Sequence, residues 1–296
     1  MKEGKEMSFS TVTVSFPVDM ETFEEMRALC SEAGQADNVR YELIMNLQAA
    51  KNYEMSGFCV LAYDDEQNQL IGLASAIDMM GLHTYEWSIV VAPAYRQKGI
   101  GQSLLQEVSN GLAVRGADGT LALTFEEGPY GAQFLKNNGY SYSFSEATLQ
   151  GAAQSAERPD NIEIRRYEEA DREMLVAIFT AAFGDTMEEA QDLIDYNSIS
   201  EQLTLWVAVL ENQVVGTVTT RQEESVQWLT ALAVHPQHTG LGIGSTLLKW
   251  VQQLAFDGGQ QHVLLDVEID NARALSIYEK AGFVKALQID YYVYVK

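Results

Sequence analysis

A chain of 296 residues, 47% hydrophobic and 21% charged, has the make-up of a globular protein with one large domain or two of ordinary size. Its 19 Lys and Arg stand against 42 Asp and Glu, a net charge of −23, and such a field repels phosphate backbones, so nucleic acid is not an expected partner. No apolar run approaches the roughly 18 residues of a membrane span, and the opening MKEGKEMSFSTVTV lacks the apolar core and cleavage site of a secretory signal; no membrane contact and a cytoplasmic location are expected.

In chain order, Cys30 and Cys59 are the two cysteines, each in an apolar-periodic stretch, which reads as buried free thiols rather than a disulfide or metal pair. Phe58-Cys-Val-Leu-Ala-Tyr and Leu70-Ile-Gly-Leu-Ala flank a polar turn and predict a hairpin. A strand running into Val91 leads through Pro93 to Gly99-Ile100-Gly101. The helix that follows carries Ile100, Leu104, Leu105, Val108 and Leu112 on one face. Residues 151–160 are small and polar with a proline, which is linker chemistry. Beyond them the pattern predicts a strand over 161–167, two helices within 170–196 and strands over 203–211, 213–222 and 225–234. A helix over 242–257, a strand over 262–269, a helix over 272–281 and a strand over 283–295 follow. Strands before and after a packed helix indicate a mixed α/β sandwich.

The chain repeats itself. Val91-Ala-Pro93-Ala-Tyr-Arg96-Gln97-Lys98-Gly99-Ile100-Gly101-Gln-Ser-Leu104-Leu105 aligns without a gap on Val234-His-Pro236-Gln-His-Thr239-Gly240-Leu241-Gly242-Ile243-Gly244-Ser-Thr-Leu247-Leu248, an offset of 234 − 91 = 143. The same offset carries Gly139-Tyr140 onto Gly282-Phe283, so two separate anchors agree on one duplication. Domains over 1–150 and 161–296 are expected, joined by the linker.

A strand that ends in Val and passes through a glycine turn into an amphipathic helix is an anion site, because free N–H groups and the helix dipole point to one place. A Walker loop would need Gly-Lys-Ser/Thr at the helix start, and a dinucleotide fold would need GxGxxG beside its first strand; neither is present. The plain alternative is a tight strand-to-helix turn with no ligand.

The motif Val-x-Pro-x-x-Arg-x-x-Gly-Ile-Gly-x-x-Leu-Leu, followed by Asn271-Ala-Arg-Ala274-Leu-Ser-Ile-Tyr278-Glu-Lys-Ala-Gly282-Phe283, resembles the GNAT superfamily of acetyl-CoA-dependent N-acyltransferases. The resemblance covers nearly all of 161–296 and, more weakly, about 8–150. Its tandem form is similar to that of the mycothiol synthase group. It implies two tandem acyl-CoA N-acyltransferase folds with acetyl-CoA as cosubstrate. The diphosphate would lie on the amides of Thr239, Gly240, Leu241, Gly242, Ile243 and Gly244, and the pantetheine arm would pair beside Leu232, Ala233 and Val234. Val91, Arg96, Gln97, Lys98, Gly99, Ile100 and Gly101 form the matching set in the first copy; Thr239 in place of Arg96 is a departure from the family pattern. The resemblance also implies that Tyr278 protonates the departing thiolate and that Asn271 helps fix the pantetheine.

Applying the offset puts Gly128 at the position of Asn271 and Leu135 at that of Tyr278, so the first copy is expected to be catalytically degenerate, with Tyr130 a substitute only in another helix register. Asn271 also suits a plain helix cap and Tyr278 a core aromatic. No acid lies over 227–234; Asp266 and Glu268 share a strand face and read as a solvated edge, Glu86 is the first-copy counterpart, and a water-mediated base stays open. His235 and His238 have no acid or Cys cluster near them, so no metal is expected. The reading is acetyl transfer to a primary amine of a small molecule or peptide by direct attack in a ternary complex. The protein is expected as a monomer with an internal pseudo-dimer, or as a weak homodimer. A CoA-binding sensor or structural protein without turnover is the alternative, and aminoacyl transfer from tRNA a third.

Overall fold

The computed structural model describes residues 7–53, 55–79, 81–155, 161–223 and 225–295. The elements in chain order are β1 (Phe9–Ser15), α1 (Met20–Asp37), α2 (Tyr41–Ile44), β2 (Ser56–Asp64), β3 (Gln69–Asp78), β4 (Thr84–Val91), α3 (Ile100–Val114), β5 (Gly119–Phe125), α4 (Gly131–Asn137) and β6 (Tyr140–Ala152). The second half repeats them as β7 (Glu163–Arg166), α5 (Arg172–Phe183), α6 (Met187–Ile199), β8 (Leu203–Leu210), β9 (Gln213–Glu223), β10 (Val226–Val234), α7 (Ile243–Asp257), β11 (His262–Glu268), α8 (Ala272–Lys280) and β12 (Val284–Tyr294). The chain forms two compact units, one of residues 1–145 and 288–296, the other of residues 146–287.

In the first unit the sheet order is β1-β2-β3-β4-β5-β12, antiparallel except for β4 beside β5. Alternation along β2 divides the core. Phe58, Val60 and Ala62 face α3, where Ile100, Leu104, Leu105, Val108 and Leu112 form one buried stripe. Cys59 and Leu61 face α1, which contributes Phe23, Met26, Leu29, Cys30 and Ala33, and that period-two split produces a sheet covered on both faces. Helix α1 starts where Asp19 accepts a hydrogen bond from the Thr22 N–H at 2.8 Å and stops at Asn38 in the left-handed region, φ 56°. Both cysteines are free and buried; burial pushes the Cys59 thiol up to about 12 and the Cys30 thiol up as well.

The second unit has the order β6-β11-β10-β9-β8-β7, again antiparallel except for β10 beside β11. Leu175, Ile178 and Phe179 of α5 and Ala190 and Ile194 of α6 pack on Leu205 and Val207. On the opposite face Ile243, Leu247, Leu248 and Val251 of α7 meet Val263, Leu265 and Val267, together with Tyr278 and Phe283.

The division at 151–160 needs correction. Gly151 and Ala152 are the end of β6, not linker, and residues 156–160 lie outside the described residues. Strand β6 leaves the first unit after Ser145 and pairs through Glu146–Ala152 with β11, from Glu146↔Glu268 to Ala152↔His262. Strand β12 returns the exchange: from Gln288 it belongs to the first unit, where Ile289–Tyr292 pairs with β5, Ile289↔Phe125 to Tyr292↔Ala122. The crossover points, after Ser145 and after Leu287, follow the duplication to within one residue, since 287 − 145 = 142 against the offset of 143. Each unit therefore takes its last strand from the other half of the sequence.

Candidate active site

Where β10 ends, a 3₁₀ turn over Pro236–His238 leads into the glycine turn. The Thr239 hydroxyl donates to the Pro236 carbonyl at 2.9 Å, so it closes the turn instead of reaching outward. Gly240 and Gly242 sit at φ 82° and 81°, in the left-handed region that excludes most side chains. A Cβ at either position would meet nothing within 4 Å, so the turn opens on space large enough for an anion to approach. Gly242 leads directly into α7 with no side chain capping the helix, which leaves the first-turn N–H groups and the positive end of the dipole for a ligand. Thr239, Gly240, Leu241, Gly242, Ile243 and Gly244 thus form one continuous cradle. Leu241 is exposed and Ile243 anchors the turn in the core.

The strand leading to this cradle is irregular. The parallel pairing of β10 with β11 runs only from Val226↔His262 to Trp228↔Leu264. On its other side β10 carries a bulge between Thr230 and Ala233, with Ala231 at φ 48°. A bulge re-aims side chains and frees backbone groups from the ladder. Past Trp228 the two strands thus present unpaired edges to each other, and Leu232, Ala233 and Val234 lie along that gap. No periodicity reveals this, because bulged and regular strands alternate alike over so few residues.

Tyr278 is on α8, buried with its ring 6.1 Å from Phe283, in the cluster that also holds Leu265 and Val267. Burial pushes its phenol up to about 12, which keeps the proton on the oxygen at neutral pH. Asn271 is the cap of α8, its side chain accepting from the Ala274 N–H at 3.1 Å, the plain role its sequence position allowed. Among the described residues no three His, Cys, Asp or Glu side chains converge on a metal position; His235 Nδ1 accepts from the Gln237 N–H.

The first unit has the same turn with a different surround. Gly99 is at φ 86° and α3 starts at Ile100 without a side-chain cap; Gln97 is at φ 59°, Lys98 lies over the Tyr95 ring at 4.9 Å, and Gly101 packs near Phe134. Arg96 is not turned toward the glycines. Its guanidinium makes two hydrogen bonds to Asp37 of α1, at 2.8 and 2.6 Å, and a third to the Val91 carbonyl at 3.1 Å, while the Tyr41 hydroxyl donates to the same carboxylate at 2.8 Å. The Asp37 carboxylate raises the Arg96 pKa above its ordinary value. The expected contribution of Arg96 to a diphosphate is thereby spent inside the protein. Leu135 sits at the equivalent helix position to Tyr278: the Asn138 N–H bonds the Leu135 carbonyl as the Ala281 N–H bonds that of Tyr278, so the simple register holds and Tyr130, at the cap of α4, does not replace it. A cavity of about 710 Å³ lies between β4, β5, the glycine turn and α4, walled by Trp87, Val91, Arg96, Tyr130 and Phe134 among others; sequence reasoning gave no sign of it.

The acetyltransferase (GNAT) family model matches residues 21–140 and again 168–283. The chain belongs to the GNAT acetyltransferase family. The mycothiol acetyltransferase of Paenarthrobacter aurescens is 22% identical across 96% of this GNAT chain and 96% of its own length. Human N-acetyltransferase 8B is 36% identical over 98 residues, 31% of this chain and 43% of that protein. Among solved structures, a GCN5-related N-acetyltransferase from Sphaerobacter thermophilus superposes with a TM-score of 0.74 at 16% identity, covering 95% of this chain and 94% of that one. A tandem GNAT protein from the clavulanic acid biosynthesis pathway superposes with a TM-score of 0.66 at 15% identity, covering 96% and 98%. Both show the same fold. GNAT enzymes use acetyl-CoA, and each of the two matched segments contains one of the two glycine turns. No helix among the described residues is long and apolar enough to cross a membrane.

Proposed function

We propose that the second unit transfers the acetyl group of acetyl-CoA to a primary amine of a small molecule or peptide by direct attack in a ternary complex. One contrast carries the assignment: at a shared helix position the second unit has a buried phenol, Tyr278, and the first has Leu135. A leaving thiolate needs a proton donor, and leucine has none.

The residues fit the cosubstrate. Gly240 and Gly242 leave room for a diphosphate against backbone N–H groups, and the unpaired edge at Leu232–Val234 suits an amide-bearing arm, which bonds to a strand as another strand does. Acetyl-CoA supplies a thioester, an acyl carbon open to an amine and a sulfur that leaves. Tyr278, fully protonated at neutral pH, donates toward the sulfur as the C–S bond breaks, when negative charge there is greatest. Asn271 fixes the start of α8 and so the depth at which Tyr278 sits.

Thiol release from acetyl-CoA across a panel of primary amines tests the reading. Tyr278→Phe should lower kcat by about 10²–10⁴ with acetyl-CoA affinity retained; an unchanged kcat removes the acid role. The cavity in the first unit favours a second reading for that unit alone: it binds CoA or a related ligand without turnover. Calorimetry on the Tyr278→Phe protein, counting CoA sites, distinguishes one site from two.

A further inference from the structure

The amine must lose a proton as it attacks, and the residue that receives it follows from strand register. Antiparallel and parallel partners in a sheet share a face. Leu205, which packs against α5 and α6, is opposite Thr219, and Thr219 is opposite Thr230. Trp228, two residues before Thr230, pairs with Leu264, so Asp266 shares that face two residues past the last paired position. Its neighbours Leu265 and Val267 point to the other face, into the cluster with Tyr278. Across the open gap between β10 and β11, then, Tyr278 stands on one side of the sheet and Asp266 on the other.

Asp266 is held rather than loose. The Thr148 hydroxyl on β6 donates to its Oδ1 at 2.6 Å, and Thr148 is its register partner. The residue opens to solvent, yet neighbouring protein crowds its carboxylate. That desolvation raises its pKa, against the Thr148 hydrogen bond and the positive charge of Arg221, which lower it. The titratable and charged groups on this face are Arg221 of β9, itself paired with Glu223 at 2.7 Å, Glu268 of β11, Glu146, the register partner of Glu268, and His262 at the start of β11, whose Nδ1 lies 3.2 Å from Gln150 Nε2. One further observation marks the face as a place for a polar ligand: Thr219 is fully buried and its Oγ1 has no partner among the described residues.

We infer that Asp266 is the general base of the second unit: its carboxylate accepts the proton of the attacking amine nitrogen on the α5/α6 face while Tyr278 serves the sulfur from the opposite face. The N–C bond forms and the C–S bond breaks. The amine proton passes to Asp266 and the phenolic proton to sulfur, giving the amide and the free thiol. Asp266, left protonated, and Tyr278, left ionised, return to their starting forms by exchange with solvent. This rests on the acetyl-transfer reading above and names a further residue in it.

The test uses full-length protein, acetyl-CoA and the amine of the panel that the wild type turns over fastest. Asp266→Asn should lower kcat/KM for the amine by about 100-fold or more, leave the calorimetric Kd for acetyl-CoA within about twofold, and abolish the acidic limb of the pH profile, on which the wild-type rate rises as Asp266 ionises. Its Tm should not fall: desolvation disfavours the charged carboxylate in the folded state, and Asn still accepts from Thr148. A variant with the wild-type rate and the same acidic limb overturns the assignment and leaves acetyl transfer standing. A wild type that fails to bind acetyl-CoA, or binds it and acetylates no amine, overturns the underlying reading and this inference with it.

Discussion

At the scale of single residues, the second unit's site depends on groups that are ordinary in type and unusual in placement. Tyr278 illustrates this: burial moves its phenol to about 12, so its donor form persists across the neutral range. In the wild type, kcat should show no alkaline loss attributable to Tyr278 until the pH nears 12. The linked stability has the same sign. A phenol whose folded value lies above its unfolded value of about 10 contributes stability that is complete below pH 10 and is lost as pH rises toward 12, which alkaline unfolding monitored by tyrosinate absorbance would detect. Gly242 makes a second prediction. At φ 81° an L side chain is strained, so Gly242→Ala should cost about 1–2 kcal/mol of folding stability in a denaturant titration. It should also weaken CoA binding, since the added methyl occupies the space a diphosphate would enter.

At the scale of elements, the two copies share their strands and helices and differ in how each glycine turn is furnished. In the first unit α1 sends Asp37 to Arg96, and the carboxylate is 4% exposed. Arg96→Ala should destabilise the protein by about 3 kcal/mol, because a buried charge loses its main partner while Tyr41 still donates to it; a second variant, Asp37→Asn in the Arg96→Ala background, should recover part of that loss in the same denaturation assay. Much of this level was legible in the chain. The apolar period of Ile243, Leu247, Leu248 and Val251, and its copy at Ile100, Leu104, Leu105 and Val108, fixes the helix after each glycine turn, and the 143-residue offset correctly places Leu135 where Tyr278 belongs. What stayed hidden depends on distance in sequence. Asp37 and Arg96 are 59 residues apart, and nothing local in either position announces the pair. Asp266 looks like any polar residue on an alternating strand, and only its register against Thr148 and the end of pairing at Leu264 distinguish it from a solvated edge. The bulge at Ala231 is likewise a property of two strands together, not of one.

At the scale of the whole molecule, the exchange of β6 and β12 sets what can fold. A fragment of residues 1–155 lacks β12, which pairs with β5 on the side away from β4, and one of residues 161–296 lacks β6, which pairs with β11 on the side away from β10. Each would expose an unpaired edge beside an apolar layer, the condition that favours aggregation. Expressed separately, both should be insoluble or unfolded by circular dichroism; expressed together, they should co-purify as one soluble species. Sequence could not show this exchange, because β6 and β12 occupy equivalent places in the repeat and either satisfies the local pattern of both sheets.

A duplicated gene ordinarily leaves one copy free to decay, since the other can carry the chemistry alone. Here the first half of the chain supplies seven residues of backbone, Glu146–Ala152, that complete the sheet bearing Asp266, and one of them, Thr148, holds Asp266 in place. Loss of the first copy would therefore remove part of the second, and selection on either half reaches the other through a single strand.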